Sequence, residues 1–250
     1  MRIQEYGGEH KDVILLLHGG GLSWWNYREA AKLLEKEYHV ILPILDGHAG
    51  SDRPFTTIEE NASEIISFID GHLNGSVLLI GGLSLGGQVL LEMLSRRRNL
   101  CDCALVESAS VIPSKLTNAL IDPAFGSSYG LIKNRRFAKM QFQSLHMKPD
   151  LFGDYYRDTC QITKSDMIAF LKANTLYEPK KTLQYSQAKI RIVVGGKERK
   201  SMLQSARLLN GILAGSVLEI KDGLYHGEYS LNHPEQYVAE LRDMIKRNVA

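Results

Sequence analysis

Short apolar runs alternate with amphipathic stretches along most of the chain. Residues 13–18 (VILLLH) precede helical spacing from Trp25 to Glu37. Residues 39–45 (HVILPIL) precede a polar turn and a second helical spacing from Ile58 to Leu73. Residues 76–82 (SVLLIGG) lead into LGGQVLLEMLSRRR at 85–98, and CALVES at 103–108 follows. The rhythm returns later with KIRIVVGG at 189–196, a helix over 201–213, SVLEIKDG at 216–223, and a last helix from Pro234 to Arg247. Proline suits the first turn of that helix. Such alternation predicts an α/β fold, a mostly parallel sheet with helices on both faces. Uninterrupted aliphatic runs fit strands buried on both sides. Ligands of such sheets bind beyond the carboxyl ends of the strands, so chemistry is sought just after each run.

The rhythm breaks between residues 112 and 187, where no buried strand is evident. Amphipathic pieces occupy that span instead: NRRFAKMQFQSLHM, LFGDYYRDTCQI and SDMIAFLKANTLY. A structureless loop of that length is improbable in a compact domain. The spacing therefore predicts a core formed by residues 1–111 and 188–250, with a helical cap inserted at 112–187.

Composition narrows the classes of function. The 250 residues suffice for one α/β domain with an insertion. A net charge of +2, from 30 basic and 28 acidic residues, gives no broad footprint for nucleic acid or an anionic membrane. The run Arg96-Arg97-Arg98 falls at a helix end, where it complements the helix dipole. Cys101, Cys103 and Cys160 are odd in number and form no zinc spacing, which favours a reducing compartment. The opening MRIQEYGGEHKD has no apolar signal region, and no apolar run is long enough to span a bilayer. A cytoplasmic protein without nucleic-acid or membrane partners is the expectation; its oligomeric state is left open.

The candidate chemistry centres on GGLSLGG at 81–87. Gly82-Leu83-Ser84-Leu85-Gly86 reads G-x-S-x-G between an apolar run and a helical stretch. In that setting the pattern describes a sharp strand-to-helix turn that exposes the serine hydroxyl. Side chains two residues either side of it would collide with backbone, hence glycine at both places. Ser84 is the candidate nucleophile. It needs a base, the base needs an orienting acid, and the acyl group needs backbone donors for its oxyanion. HGGG at 18–21, directly after the first long apolar run, offers the N–H of Gly20, and the residue after the serine offers the N–H of Leu85. His226, just beyond the last apolar run, is the candidate base. His39 lies inside a strand, and His10, His72, His146 and His233 are not at strand ends. Glu198, at the end of VVGGKE, is the candidate acid. Glu107, at the end of CALVE, competes with it. Asp222 is too close to His226 in the chain to reach the far side of its ring.

These residues resemble the α/β-hydrolase superfamily over the whole chain. LLLHGGGLSWWNY at 15–27 is similar to the family's strand, oxyanion loop and following helix, and LPILDGHAGSD at 42–52 to its D-x-x-G-H-G-x-S turn. Gly82–Gly86 resembles its elbow, VVGGKE its strand-end acid motif, and YHGEYSLNHPEQY at 225–237 its histidine loop. Three departures stand out. Leu83 occupies a core-facing position where histidine is common. The acid is glutamate where aspartate is usual. The first long apolar run comes so early that the family's opening hairpin must be shortened, which leaves about seven strands. His48 and Ser51 are read as turn residues that shape the site from behind.

The resemblance implies a serine hydrolase of the carboxylesterase kind that acts on a small ester and needs neither metal nor cofactor. It implies an apolar pocket under the cap, with Phe137, Met140, Phe142, Leu145, Tyr155 and Tyr156 as candidate lining or packing residues. The same triad serves lactone opening, carbon–carbon cleavage or an elimination of the menaquinone-pathway type in such folds, and related receptors bind small molecules with little turnover.

Overall fold

The computed structural model describes residues 1–249; Ala250, the last residue of the expected core span, lies outside them. The elements follow the alternation closely. β1 (Ile3–Tyr6) and β2 (Val13–Leu17) lead to α1 (Arg28–Leu34), β3 (His39–Pro43) and α2 (Ile58–His72). β4 (Val77–Leu83), α3 (Leu85–Arg96) and β5 (Cys101–Glu107) come next. Four helices fill the break: α4 (Lys115–Ser128), α5 (Arg135–Ser144), α6 (Phe152–Thr159) and α7 (Lys164–Leu176). β6 (Lys189–Gly195), α8 (Lys200–Ile212), β7 (Val217–Lys221), α9 (Glu228–Asn232) and α10 (Pro234–Val249) complete the chain.

The strands form one sheet in the order β1-β3-β2-β4-β5-β6-β7. All neighbours are parallel except β1, which runs antiparallel to β3 with Ile3 opposite Pro43. The shortened opening hairpin is thus a single antiparallel edge strand. Alternate strand residues feed two cores. Leu15, Leu17, Ile80 and Val106 pack with α2, α3 and α8, whereas Ile14, Leu16, Leu79 and Leu105 pack with α1 and α10. Burial on both faces is why these strands read as continuous aliphatic runs.

The basic run at the end of α3 closes on the chain's own groups. Arg96 bonds Glu92 at 2.6 Å, Arg97 pairs with Asp70 of α2, and Arg98 lies 5.0 Å over the ring of Tyr185. The inserted helices join both cores. Phe142, Leu151 and Tyr155 enter the one shared with α10, and Met167 and Phe170 enter the other. Trp25 Nε1–H donates to Asp158 at 2.8 Å, and Arg28 pairs with Asp154 at the same distance.

Three local expectations change. The helix expected over Trp25–Glu37 is a 3-10 turn over Trp24–Tyr27 followed by α1, which stops at Leu34. α4 falls within the expected helical insertion but in none of its named amphipathic pieces, and it continues through Pro123, a residue that normally ends a helix. α9, a short helix inside the histidine loop, was not expected.

Candidate active site

β4 ends at Leu83 and α3 begins at Leu85, so Ser84 alone makes the turn between them. Its φ is +53° and its ψ −111°, a sparsely populated conformation that costs a non-glycine residue about 1–3 kcal/mol. Its N–H donates to Glu107 O at 2.8 Å, which ties the turn to the end of β5. A Cβ on Gly82 would lie 2.5 Å from Gly86 O, and one on Gly86 would strike Leu17 O and His18 O. Backbone therefore demands both glycines. Leu83 is buried, consistent with its core-facing assignment.

His226 follows β7 and meets Ser84 from the neighbouring loop. Ser84 Oγ–H donates to His226 Nε2 at 3.1 Å, and His226 Nδ1–H donates to Glu198 Oε2 at 2.7 Å. Glu198 Oε1 accepts from Ser108 Oγ at 2.6 Å and from Gly195 N–H at 2.8 Å. The Glu198 side chain is 1% exposed and that of His226 43%, so the acid is sealed while the histidine is open to solvent. Burial alone would push the Glu198 carboxyl up. The His226 ring, the Ser108 hydroxyl and the Gly195 N–H outweigh it and hold the group below its ordinary range.

Glu107, the competing carboxylate, is buried one strand away. Its Oε1 accepts from Ser230 N–H at 3.2 Å, and no bond joins it to His226. Burial pushes its pKa up to about 7. The structure thus brings Ser84, His226 and Glu198 into one hydrogen-bonded line and sets Glu107 beside it.

Gly20 approaches Leu85, the residue after the serine. A Cβ on Gly20 would sit 3.6 Å from Leu85 Cβ. Leu85 opens α3, so its N–H has no intrahelical acceptor. Among the described residues, Gly20 N–H has no backbone acceptor either. The preceding peptide is held rigidly. Gly19 N–H donates to Asn26 Oδ1 at 3.1 Å, and Gly19 O accepts from His18 Nδ1–H at 2.9 Å and from Leu22 N–H at 3.1 Å. Leu45 N–H donates to His18 Nε2 at 3.1 Å, so both ring nitrogens are used. Burial, reinforced by His48, lowers the His18 pKa to about 3 and keeps the ring neutral.

His48 and Ser51 sit where their turn reading puts them. His48 is buried, donates from Nδ1–H to Asp46 O at 3.0 Å, and meets His18 edge-on at 4.9 Å. Ser51 Oγ–H donates to Arg53 O at 3.1 Å. Phe170 of α7 stacks on His48 at 4.7 Å, and a Cβ on Gly20 would lie 3.5 Å from its ring. Phe170 is the aromatic that borders Gly20. Of the expected pocket side chains, Phe142 and Tyr155 are spent on packing, 5.3 Å apart, and Met140 and Leu145 are exposed. Sequence reasoning missed Ser108, Phe170 and the support that His18 gives Gly19. A histidine set directly before the glycines was the one available signal.

Among the described residues, no group of three or more His, Cys, Asp or Glu could hold a metal ion, and no helix is long and apolar enough to cross a membrane. The sequence profile of the alpha/beta hydrolase family matches residues 14–240, and the chain belongs to that family. No curated protein matches it by sequence. Among solved structures, an esterase from Exiguobacterium antarcticum is 19% identical, with a TM-score of 0.82 over 98% of this chain and 94% of its own. MenH from S. aureus is 15% identical, with a TM-score of 0.80 over 100% of this chain and 98% of its own. The enol-lactonase from Burkholderia xenovorans LB400 is 14% identical, with a TM-score of 0.81 over 98% of this chain and 96% of its own. At these identities the likeness is one of fold.

Proposed function

We propose that the protein is a serine hydrolase that cleaves a small carboxylic ester through an acyl-enzyme. The observation that carries this reading is the unbroken line Ser84 Oγ–His226–Glu198 at a strained strand-to-helix turn. Ser84 Oγ attacks the ester carbonyl carbon while His226 Nε2 takes its proton. Glu198 holds Nδ1–H, fixing the tautomer and stabilising the imidazolium that forms. The N–H groups of Gly20 and Leu85 receive the negative oxygen of the tetrahedral intermediate. Collapse expels the alcohol, which leaves with the proton from His226. Water, deprotonated by the same nitrogen, then releases the acid and restores Ser84.

Residues 112–187 act in this reading as a cap, with Phe170 as the wall nearest the oxyanion donors. The three free cysteines suit a reducing compartment, and a cytoplasmic location follows from that. The likeness to an enol-lactonase keeps lactone opening as an alternative chemistry of the same residues, beside the elimination that the sequence resemblance also allows.

The test is hydrolysis of p-nitrophenyl acetate and butyrate, with a lactone in the same panel. Ser84→Ala should reduce turnover to background, a loss of about 10⁶-fold. Glu198→Gln should cost about 10⁴-fold, and Glu107→Gln far less. Activity retained in Ser84→Ala would remove the proposed nucleophile. Equal losses in both glutamate variants would remove the assignment of Glu198. Turnover of the lactone alone would favour the alternative chemistry.

A further inference from the structure

Among the described residues, two of the four non-glycine residues with positive φ are Ser84 and Ser108, both at +53°. They stand at equivalent places. β4 and β5 are paired with Leu83 opposite Glu107, so each serine is the first residue past its strand at the same level of the sheet. Each is anchored alike: Ser84 N–H donates to Glu107 O at 2.8 Å, and Ser108 N–H to Val193 O at 2.9 Å. The positive φ and the N–H anchor of the nucleophile's turn thus recur one strand over. A turn with that φ favours glycine. Serine stands there instead, 3% exposed, with its hydroxyl 2.6 Å from Glu198 Oε1.

The geometry points to Ser108 as a positioning residue for Glu198: its hydroxyl locks one carboxylate oxygen so that the other is presented to His226 Nδ1. This rests on the triad reading above. A glutamate has one more rotatable bond than the aspartate usual in this family, so one oxygen bound to His226 does not fix its plane. Gly195 N–H and Ser108 Oγ–H converge on the second oxygen and do. Bonds to a charged acceptor are the stronger kind, and this one is shielded from water.

Ser108→Gly and Ser108→Ala separate the hydroxyl from the backbone. Glycine removes the hydroxyl and relieves the strained φ, whereas alanine removes the hydroxyl and keeps the strain. Both variants should lower kcat on p-nitrophenyl acetate by about ten- to a hundredfold with KM nearly unchanged. A carboxylate that has lost a donor is protonated more readily. Such a carboxylate is also the stronger acceptor for the proton on Nδ1, so the acid limb of kcat/KM, which reports protonation of the base, should move to higher pH in both variants, a shift that a purely structural residue would not cause. Labelling of Ser84 by a fluorophosphonate, followed across pH 5–9 on the full chain, gives the second readout. Wild-type protein that labels, beside variants that label at the same rate with the same pH midpoint, would overturn the role of Ser108 alone. Loss in Ser108→Ala with none in Ser108→Gly would also overturn it, because strain and not the hydroxyl would then be the cause. Wild-type protein that does not label at all would overturn the triad reading, and this inference with it.

Discussion

At the scale of single residues, one substitution has opposite consequences at two glycines. Gly86 closes the turn after Ser84, and a Cβ there would strike Leu17 O and His18 O. Both obstacles are backbone at the end of β2, immediately before the glycines that flank the site. Neither can swing aside as a side chain would. Gly86→Ala should destabilise the protein by more than about 3 kcal/mol, or prevent folding, and should abolish labelling of Ser84. Gly211 lies within α8, where a Cβ would meet nothing within 4 Å. Gly211→Ala should stabilise by about 0.5–1 kcal/mol, because alanine has the better helix propensity and fewer unfolded conformations. Urea unfolding of the two variants checks the pair. Equal effects would mean that the backbone at the turn has room to relax. This contrast was legible in part from sequence. The G-x-S-x-G spacing marks Gly82 and Gly86 as sterically required. Ser108 carried no such mark, since its partner lies 90 residues on and no spacing rule joins a strand-end serine to a distant carboxylate.

At the scale of elements, the inserted helices differ in how they hold the core. α7 is bolted to the helix that follows Ser84. Gln88 Nε2–H donates to Ser110 O at 2.7 Å and to Asn174 O at 2.9 Å, and Asn174 Nδ2–H donates back to Gln88 Oε1 at 2.9 Å. Asp166 Oδ1 accepts from Phe55 N–H at 2.8 Å, and Phe170 enters the core beside His48. α4 by contrast leaves Leu116 76% and Leu120 56% exposed. Asn174→Ala strands the buried Gln88 Oε1 and should cost about 1–3 kcal/mol. It should also loosen α7 over Gly20 and so raise KM for p-nitrophenyl butyrate more than it lowers kcat. A variant with wild-type stability and KM would show that the amide pair is dispensable. The apolar spacing of 165–177 made α7 readable as a helix. It gave no sign of which face meets the site, because helices in a cap are oriented by partners from distant parts of the chain. α4 has no comparable signal for a local reason: Pro123 inside it and Gly126 near its end contradict the propensity that normally announces a helix.

At the scale of the whole molecule, the mostly parallel sheet was legible from the alternation, whereas the strand order was not; a parallel sheet puts the carboxyl ends of its strands on one edge, which is why the candidate residues were sought there. Ser84, Glu198 and His226 each follow a separate apolar run, and the topology alone brings them near one another. Invisible in the sequence was the set of buried titratable groups packed behind that edge, and these govern how stability responds to pH. Burial lowers His48 to about 4 and His18 to about 3, both from 6.5. The unfolded chain therefore binds more protons than the native one below pH 6.5, and stability falls as pH drops from there. Glu107 has the opposite sign. Burial raises it from 4.5 to about 7, so its contribution is complete below pH 4.5 and is lost as pH rises through 7. Asp46, which burial raises from 3.8 to about 6, has the same sign as Glu107, so between pH 6.5 and 4.5 two carboxyls oppose two histidines and the wild type should show a shallow response there. Glu107→Gln keeps an acceptor for Ser230 N–H and removes the titration. At pH 8 this variant should exceed the wild type by on the order of 3 kcal/mol, and near pH 4.5 the two should converge. Relative to the wild type it should lose stability more steeply between pH 7 and 5, where the histidines are opposed by Asp46, whose carboxyl is pushed up to about 6 by burial, but no longer by Glu107. Urea unfolding at pH 8, 6.5 and 4.5 decides the matter: a constant difference between the two proteins at all three values would mean that Glu107 does not titrate in this range, and that the native state holds its charge in another way.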